Sequence, residues 1–151
     1  MAKIEELVKV REFVSPWHRA TINVLYTNNW LTLLLEKRAA AYQITLQQFN
    51  ALRVLRGQYP QPVKNNLLKA RMLSPTPDIS RLVDRLEGKG LVTKSKSLDD
   101  KRAVDLLISE KGLALLECME SEMMLDNILP QHLTEDEAEQ LSQLLDKLRG
   151  T

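Results

Sequence analysis

The chain is short of the residues that carry most metal and covalent chemistry. It has one cysteine (Cys118), two histidines (His18 and His132) and five glycines in 151 residues. A single cysteine excludes an internal disulfide framework and is the usage expected in a reducing cytoplasm. The histidines stand at opposite ends of the chain and no Cys/His spacing suits zinc, so neither metal nor cofactor is expected. There is no glycine-rich phosphate loop. No nucleophile, base and orienting acid form a motif, and an enzyme is not expected. No apolar run approaches the roughly 20 residues that span a bilayer. The opening "MAKIEELVKVREF" mixes acids with bases and lacks a long apolar block, unlike a signal peptide. The expectation is a cytoplasmic chain without a membrane partner. Its 44% hydrophobic and 27% charged content fits one ordinary globular domain with a real core, and no internal repeat is visible.

What the chain does have is charge, unevenly placed. Residues 1–52 carry six Lys/Arg against four Asp/Glu, residues 53–102 carry twelve against five, and residues 103–151 carry three against eleven. The net charges are therefore +2, +7 and −8, which sum to the chain's +1. A basic middle of that density is the electrostatic footprint of a surface that meets nucleic acid. A merely solvated charged face would explain any five or six of these residues, and explains twelve less well.

Hydrophobic spacing predicts a helix over residues 15–41, with Pro16 in its first turn. Ile22, Leu25, Tyr26, Trp30, Leu33 and Leu34 follow helical spacing on one side, and Val24, Leu31 and Leu35 add a second apolar face. A helix greasy on two sides needs two neighbours, which points to a partner chain. Next, "ITLQQF" is a helix start: Thr45 caps, Gln48 completes a capping box, and Ile44 staples onto Phe49, with Gly57 as the stop. Pro62 is expected to open a short helix through Leu67, Leu68 and Met72. Then "RMLSPTPDISRLVDRLEGKG" predicts a helix with Thr76 as N-cap, Pro77 in first position and Asp78 in the first turn. Ile79, Leu82, Val83 and Leu86 stripe its inner side. "LVTKSK" and "AVDLLI" read as two strands joined by the charged tip "SLDDKR". Ser109 caps a helix expected to reach about Leu129. Thr134 and Glu137 form a second capping box before a helix striped by Leu141, Leu144, Leu145 and Leu148.

The expected fold is mostly helical with a small β-hairpin: a helix-turn-helix followed by a charged wing. "DISRLVDRLEGKGLVTKSKSLDDKRAVDLLISEKG", with the capped "TLQQFNALRVL" before it, resembles the MarR family of bacterial transcriptional regulators. The resemblance runs through the recognition helix, the "GLV" entry to the wing, Asp100-Lys101-Arg102 at its tip and the closing "ISEKG". It implies a homodimer binding a pseudo-palindromic duplex operator, in the expected form a repressor. Residues 1–42 and 110–151 would be dimerisation helices and 44–108 the winged helix-turn-helix. It also implies release by small aromatic or phenolic effectors. Lys94 and Lys101 depart from the arginine the family often has there, which weakens any bidentate contact. The family's oxidation-sensing branch has its cysteine near the N-terminus, where this chain has none, and Cys118 is expected to be structural.

The inward stripe leaves Ser80, Arg81, Asp84 and Arg85 to the outer side of the recognition helix. Arginine can grip the major-groove edge of guanine, and serine can bind base or phosphate. Asp84 would repel phosphate and is expected to orient Arg81 or Arg85. The expected DNA contacts are Ser74, Thr76, Ser80, Arg81, Arg85, Lys94, Lys96, Lys101 and Arg102, the last two entering a minor groove. Arg85 could instead pair with nearby acids, and Arg102 could only hold Asp100. Trp17, His18, Tyr26 and Trp30 are candidate effector contacts, although aromatics on a helix stripe are more often core. The rival function is a winged-helix protein-interaction module with a basic docking face.

Overall fold

The computed structural model describes residues 1–150. A short helix α1 (Ile4–Val8) precedes α2 (Pro16–Ala40), the long helix expected from the spacing. Ser15 caps α2, its hydroxyl accepting from the His18 amide at 3.1 Å, and Pro16 fills the first position where a missing N–H costs nothing. α3 (Leu46–Gln58) opens on the expected capping box: the Gln48 amide donates to Thr45 Oγ1 at 3.1 Å and the Thr45 amide to Gln48 Oε1 at 3.0 Å. Gly57 does not stop it. The helix runs one residue further and ends at Tyr59, whose extended backbone suits a residue before proline.

Pro62 likewise does not open a helix. Val63–Lys64 form a two-residue strand, β1, paired antiparallel with β3 through Val63↔Leu106 and Lys64↔Asp105, and α4 (Asn65–Arg71) starts only after it. The N-cap of α5 (Ile79–Gly88) is Asp78 rather than Thr76, because the Asp78 carboxylate accepts from the Arg81 amide at 3.0 Å. Pro77 therefore lies before the helix. Leu82, Val83 and Leu86 are buried as expected. At the far end Gly90 takes a left-handed φ of 73°. Its amide reaches the Glu87 carbonyl at 2.9 Å and the Leu91 amide reaches the Leu86 carbonyl at 3.0 Å, the paired bonds of a Schellman stop.

Leu91 then leads into β2 (Val92–Lys96), which pairs with β3 (Val104–Ile108) from Val92↔Ile108 to Lys96↔Val104. The sheet order is β1-β3-β2, so the central strand carries the buried Leu106 and Ile108. Ser109 caps α6 (Glu110–Met123): its hydroxyl accepts from the Gly112 amide at 3.0 Å and donates to the Gly90 carbonyl at 2.6 Å. α6 stops well short of Leu129. Leu125 is buried in a left-handed conformation (φ 60°), which no helix can pass through, and Arg38 Nη1 donates to the Glu122 carbonyl at 2.6 Å. A 3₁₀ turn (Leu129–Gln131) and α7 (Glu135–Arg149) complete the chain, α7 starting on the expected Thr134/Glu137 box.

The core is shared by α3, α4, α5, α6 and the sheet, with Leu52, Leu55, Leu68, Leu86, Leu106 and Leu116 fully buried. α2 and α7 contribute little to it. Of the 25 residues of α2 only Ala39 is buried, and α7 buries none. Leu25, Trp30 and Leu33 on α2 and Leu141, Leu144 and Leu148 on α7 are exposed.

Candidate nucleic-acid interface

The N-cap at Asp78 and the Schellman stop at Gly90 fix both ends of α5, and the buried stripe fixes its rotation. That rotation turns Ser80, Arg81, Asp84 and Arg85 outward, all exposed. Among the described residues neither Arg81 nor Arg85 forms an ion pair or a side-chain hydrogen bond. Asp84 does not orient them. It pairs with Lys94 on β2, whose Nζ lies 2.5 Å from Asp84 Oδ1 and 3.6 Å from Glu87 Oε1. The hydrogen bond to Asp84 holds the Lys94 ammonium above the usual lysine range. Arg85 is thus not an internal partner of these acids, and Lys94 is.

The wing tip is built on Ser97, a buried serine whose hydroxyl accepts from the Asp99 and Asp100 amides, both at 3.3 Å. Asp100 in turn accepts from the Arg102 main-chain N–H at 3.0 Å. Asp100 therefore shapes the tip through the backbone and leaves the Arg102 guanidinium unengaged. Lys96, Lys101 and Arg102 are exposed without ion pairs among the described residues.

The turn before α5 separates two expected contacts. Ser74 is exposed, whereas Thr76 is buried and its hydroxyl donates to the Ser74 carbonyl at 3.4 Å, so the Thr76 side chain builds the turn instead of facing out. Several of the twelve central bases also serve inside the protein. Arg56 pairs with Glu120 at 2.7 Å, Lys89 Nζ donates to the Gln43 carbonyl at 2.5 Å, and Arg53 sits 5.8 Å over the Phe49 ring. The remaining exposed set is concentrated on α4, α5 and the wing.

A cleft of about 720 Å³ lies against the inner edge of this surface, where α2, the start of α3 and α5 meet. Glu36, Thr45, Thr76, Asp78, Arg81 and Arg85 are among its lining residues. The four aromatic candidates do not line it. Trp17, Tyr26 and Trp30 lie exposed on α2, and His18 stacks edge-on against Phe13 at 5.2 Å while its Nδ1 accepts from the Val14 amide. Cys118 is exposed, on the wall of a second cleft of about 600 Å³ that also meets Tyr42, Lys89 and Lys111. Among the described residues no group of three His, Cys, Asp or Glu could hold a metal, and no helix is long and apolar enough to cross a membrane.

Two features of the site had no sequence signal. The Lys94 pairing depends on the hairpin folding back over α5, and Ser97 looks like an ordinary polar turn residue until its hydroxyl is seen to hold two amides. Gly112, the last residue of "ISEKG", owes its place to a close approach. A Cβ there would lie 2.5 Å from the Leu91 carbonyl oxygen, so α6 approaches the base of the wing too closely for any side chain.

The fold and its matched segment both have known counterparts. Residues 44–104, from the cap of α3 to the start of β3, match the model of the MarR family. Among solved structures, a MarR transcription factor from Planctomyces limnophilus is 26% identical, with a TM-score of 0.65 over 93% of this chain and 100% of its own. A cysteine-to-serine variant of MarR from E. coli is 25% identical, with a TM-score of 0.70 over 91% of this chain and 98% of its own. The same variant complexed with operator DNA gives a TM-score of 0.73 at 23% identity over 98% of this chain and 99% of its own, a likeness of fold. Residues 44–104 are thus similar to the MarR family's model, and they sit within a fold like that of those structures.

Proposed function

We propose that the chain is a transcriptional regulator that binds duplex DNA sequence-specifically through residues 44–108. The observation that carries this reading is the pair Arg81 and Arg85, exposed and unengaged on a helix whose ends and rotation are fixed, beside a basic wing. A rigid helix of that kind enters a major groove, where arginine reads guanine, while Lys101 and Arg102 at the wing tip suit a narrow minor groove. The contact set we propose is Ser74, Ser80, Arg81, Arg85, Lys96, Lys101 and Arg102. Homodimerisation through residues 1–42 and 110–151 belongs to the same proposal. It is supported by the exposed Leu25, Trp30 and Leu33 of α2 and Leu141, Leu144 and Leu148 of α7, apolar side chains that a partner chain would cover. The acidic α7 would then lie away from the DNA.

Repression, and relief by a small aromatic ligand, form the finer part of the proposal. A ligand in the cleft under α5 would meet Arg81 and Arg85, the side chains assigned to the groove, so ligand and operator would compete for them. The test is a titration of duplex DNA at two salt concentrations with the parent protein and Arg81→Ala. The proposal expects the substitution to cost about 1–3 kcal/mol on the preferred duplex and to relax specificity. Binding indifferent to DNA sequence and unchanged in Arg81→Ala would instead favour a protein-docking module.

A further inference from the structure

The recognition helix carries its own liability. Asp84 and Glu87 stand one turn apart on α5 and both face water, on the helix assigned to a polyanion. A free carboxylate there would repel phosphate. Asp84, three residues beyond Arg81, could also capture that guanidinium as a helical neighbour and take it out of the groove. In the structure Asp84 does not hold Arg81, and Lys94 reaches across from β2 to both acids, at 2.5 Å and 3.6 Å. Its backbone is held in the sheet opposite Leu106, whose side chain is fully buried in the core, so the ammonium is delivered from a fixed base. The contact joins the two elements that would enter different grooves.

We propose that Lys94 is a positioning residue, which pins the wing to the recognition helix and engages Asp84 and Glu87, offsetting one of their two charges, so that Arg81 and Arg85 remain available to DNA. This rests on the DNA-binding reading above and reassigns a lysine that its charge alone would make a phosphate contact. A lysine already shared by two carboxylates has less to gain from a phosphate than the unengaged Lys96 two residues on. The pin also sets one distance between helix and wing tip, so the operator's major- and minor-groove contacts must fall at matching spacing.

The two roles separate in a double-mutant cycle. Lys94→Ala is made in the parent chain and in an Asp84→Asn/Glu87→Gln background, and Lys94→Arg is made as the conservative control. Each is titrated with a duplex selected from a random pool, at two salt concentrations. A positioning role predicts that Lys94→Ala weakens binding about five-fold in the parent and hardly at all in the neutralised background, with an unchanged salt slope and near-parent binding by Lys94→Arg. Equal losses in both backgrounds, with the salt slope lower by about one, would make Lys94 a phosphate contact and overturn the proposal. Amide exchange on the free proteins supplies a second measurement that needs no DNA. Lys94→Ala should speed exchange along Val92–Lys96, and unchanged exchange would also overturn the pin. If the parent binds no duplex at all, the regulatory reading fails, while the exchange measurement still decides whether the wing is pinned.

Discussion

Substituting Gly112 by alanine tests how tightly the wing is seated on α6. A Cβ at Gly112 would lie 2.5 Å from the Leu91 carbonyl oxygen and 2.7 Å from Ile108 Cγ1. The oxygen is main chain and cannot swing aside as a flexible side chain would. It also accepts from the Ser109 amide at 2.9 Å, and Leu91 follows directly on the left-handed Gly90. Making room therefore shifts the helix start or the entry to β2. Overpacking of this kind costs about 1–3 kcal/mol, against a helix-propensity gain for alanine of at most about 1 kcal/mol. The expected result is net destabilisation by about 1–2 kcal/mol, seen in urea unfolding as a lower midpoint with an unchanged slope. Gly57→Ala is the matched control: it lies within α3 with open space where the Cβ would go, and should stabilise by about 0.5–1 kcal/mol. If Gly112→Ala proves as stabilising as Gly57→Ala, propensity governs both positions and the close approach described above is wrong.

Three further outcomes follow from the same geometry. Lys96→Ala should weaken binding to all duplexes alike and flatten the salt dependence by about one phosphate's worth, read from titrations at several salt concentrations. Trp30→Ala, on the exposed face of α2, should raise the dimer dissociation constant in sedimentation across a concentration series; unaltered dimers would remove Trp30 from the interface. Tyr42→Phe removes a hydroxyl that donates to Glu122 at 2.8 Å and should slightly lower the midpoint of urea unfolding. The phenol of Tyr42 is held above the ordinary tyrosine range chiefly by that bond. Its contribution is therefore present below the ordinary tyrosine pKa and lost as pH rises through the folded value, so parent and variant should converge in stability at strongly alkaline pH.

Much of the fold was legible in the sequence because its helices announce themselves locally. Thr45/Gln48, Ser109 and Thr134/Glu137 each satisfy orphan amides with side chains one turn away, and all three caps form. The failures came where the deciding partner is distant in sequence. β1 is two residues long and exists only through its pairing with β3, so no alternation could reveal it. α6 ends because Leu125 turns inward and Arg38, far away on α2, takes a carbonyl of its last turn. The N-cap of α5 went to Asp78 instead of Thr76, although both residue types cap well, because the Asp78 side chain meets the Arg81 amide whereas Thr76 is buried in the turn.

The candidate site divides in the same way. Exposure of Arg81 and Arg85 followed from the apolar stripe Leu82, Val83 and Leu86, which is local periodicity. The partners of the lysines were not legible, since charge counts treat Lys94, Lys96 and Lys89 alike. In the fold the first bridges two acids, the second is unengaged and the third donates to a main-chain carbonyl. The aromatic residues of α2 were less legible. Their spacing fitted either a ligand site or a packed stripe, whereas in the fold Trp17, Tyr26 and Trp30 are exposed on α2 and the four line neither cleft.

The most direct test of the central claim is selection of bound duplexes from a random-sequence pool by the 151-residue chain. Two copies of the helix and wing related by a two-fold axis should enrich an inverted repeat, with half-site centres about one helical turn apart. Failure to enrich any sequence, with only weak and salt-sensitive retention of the pool, would contradict sequence-specific DNA binding by this chain.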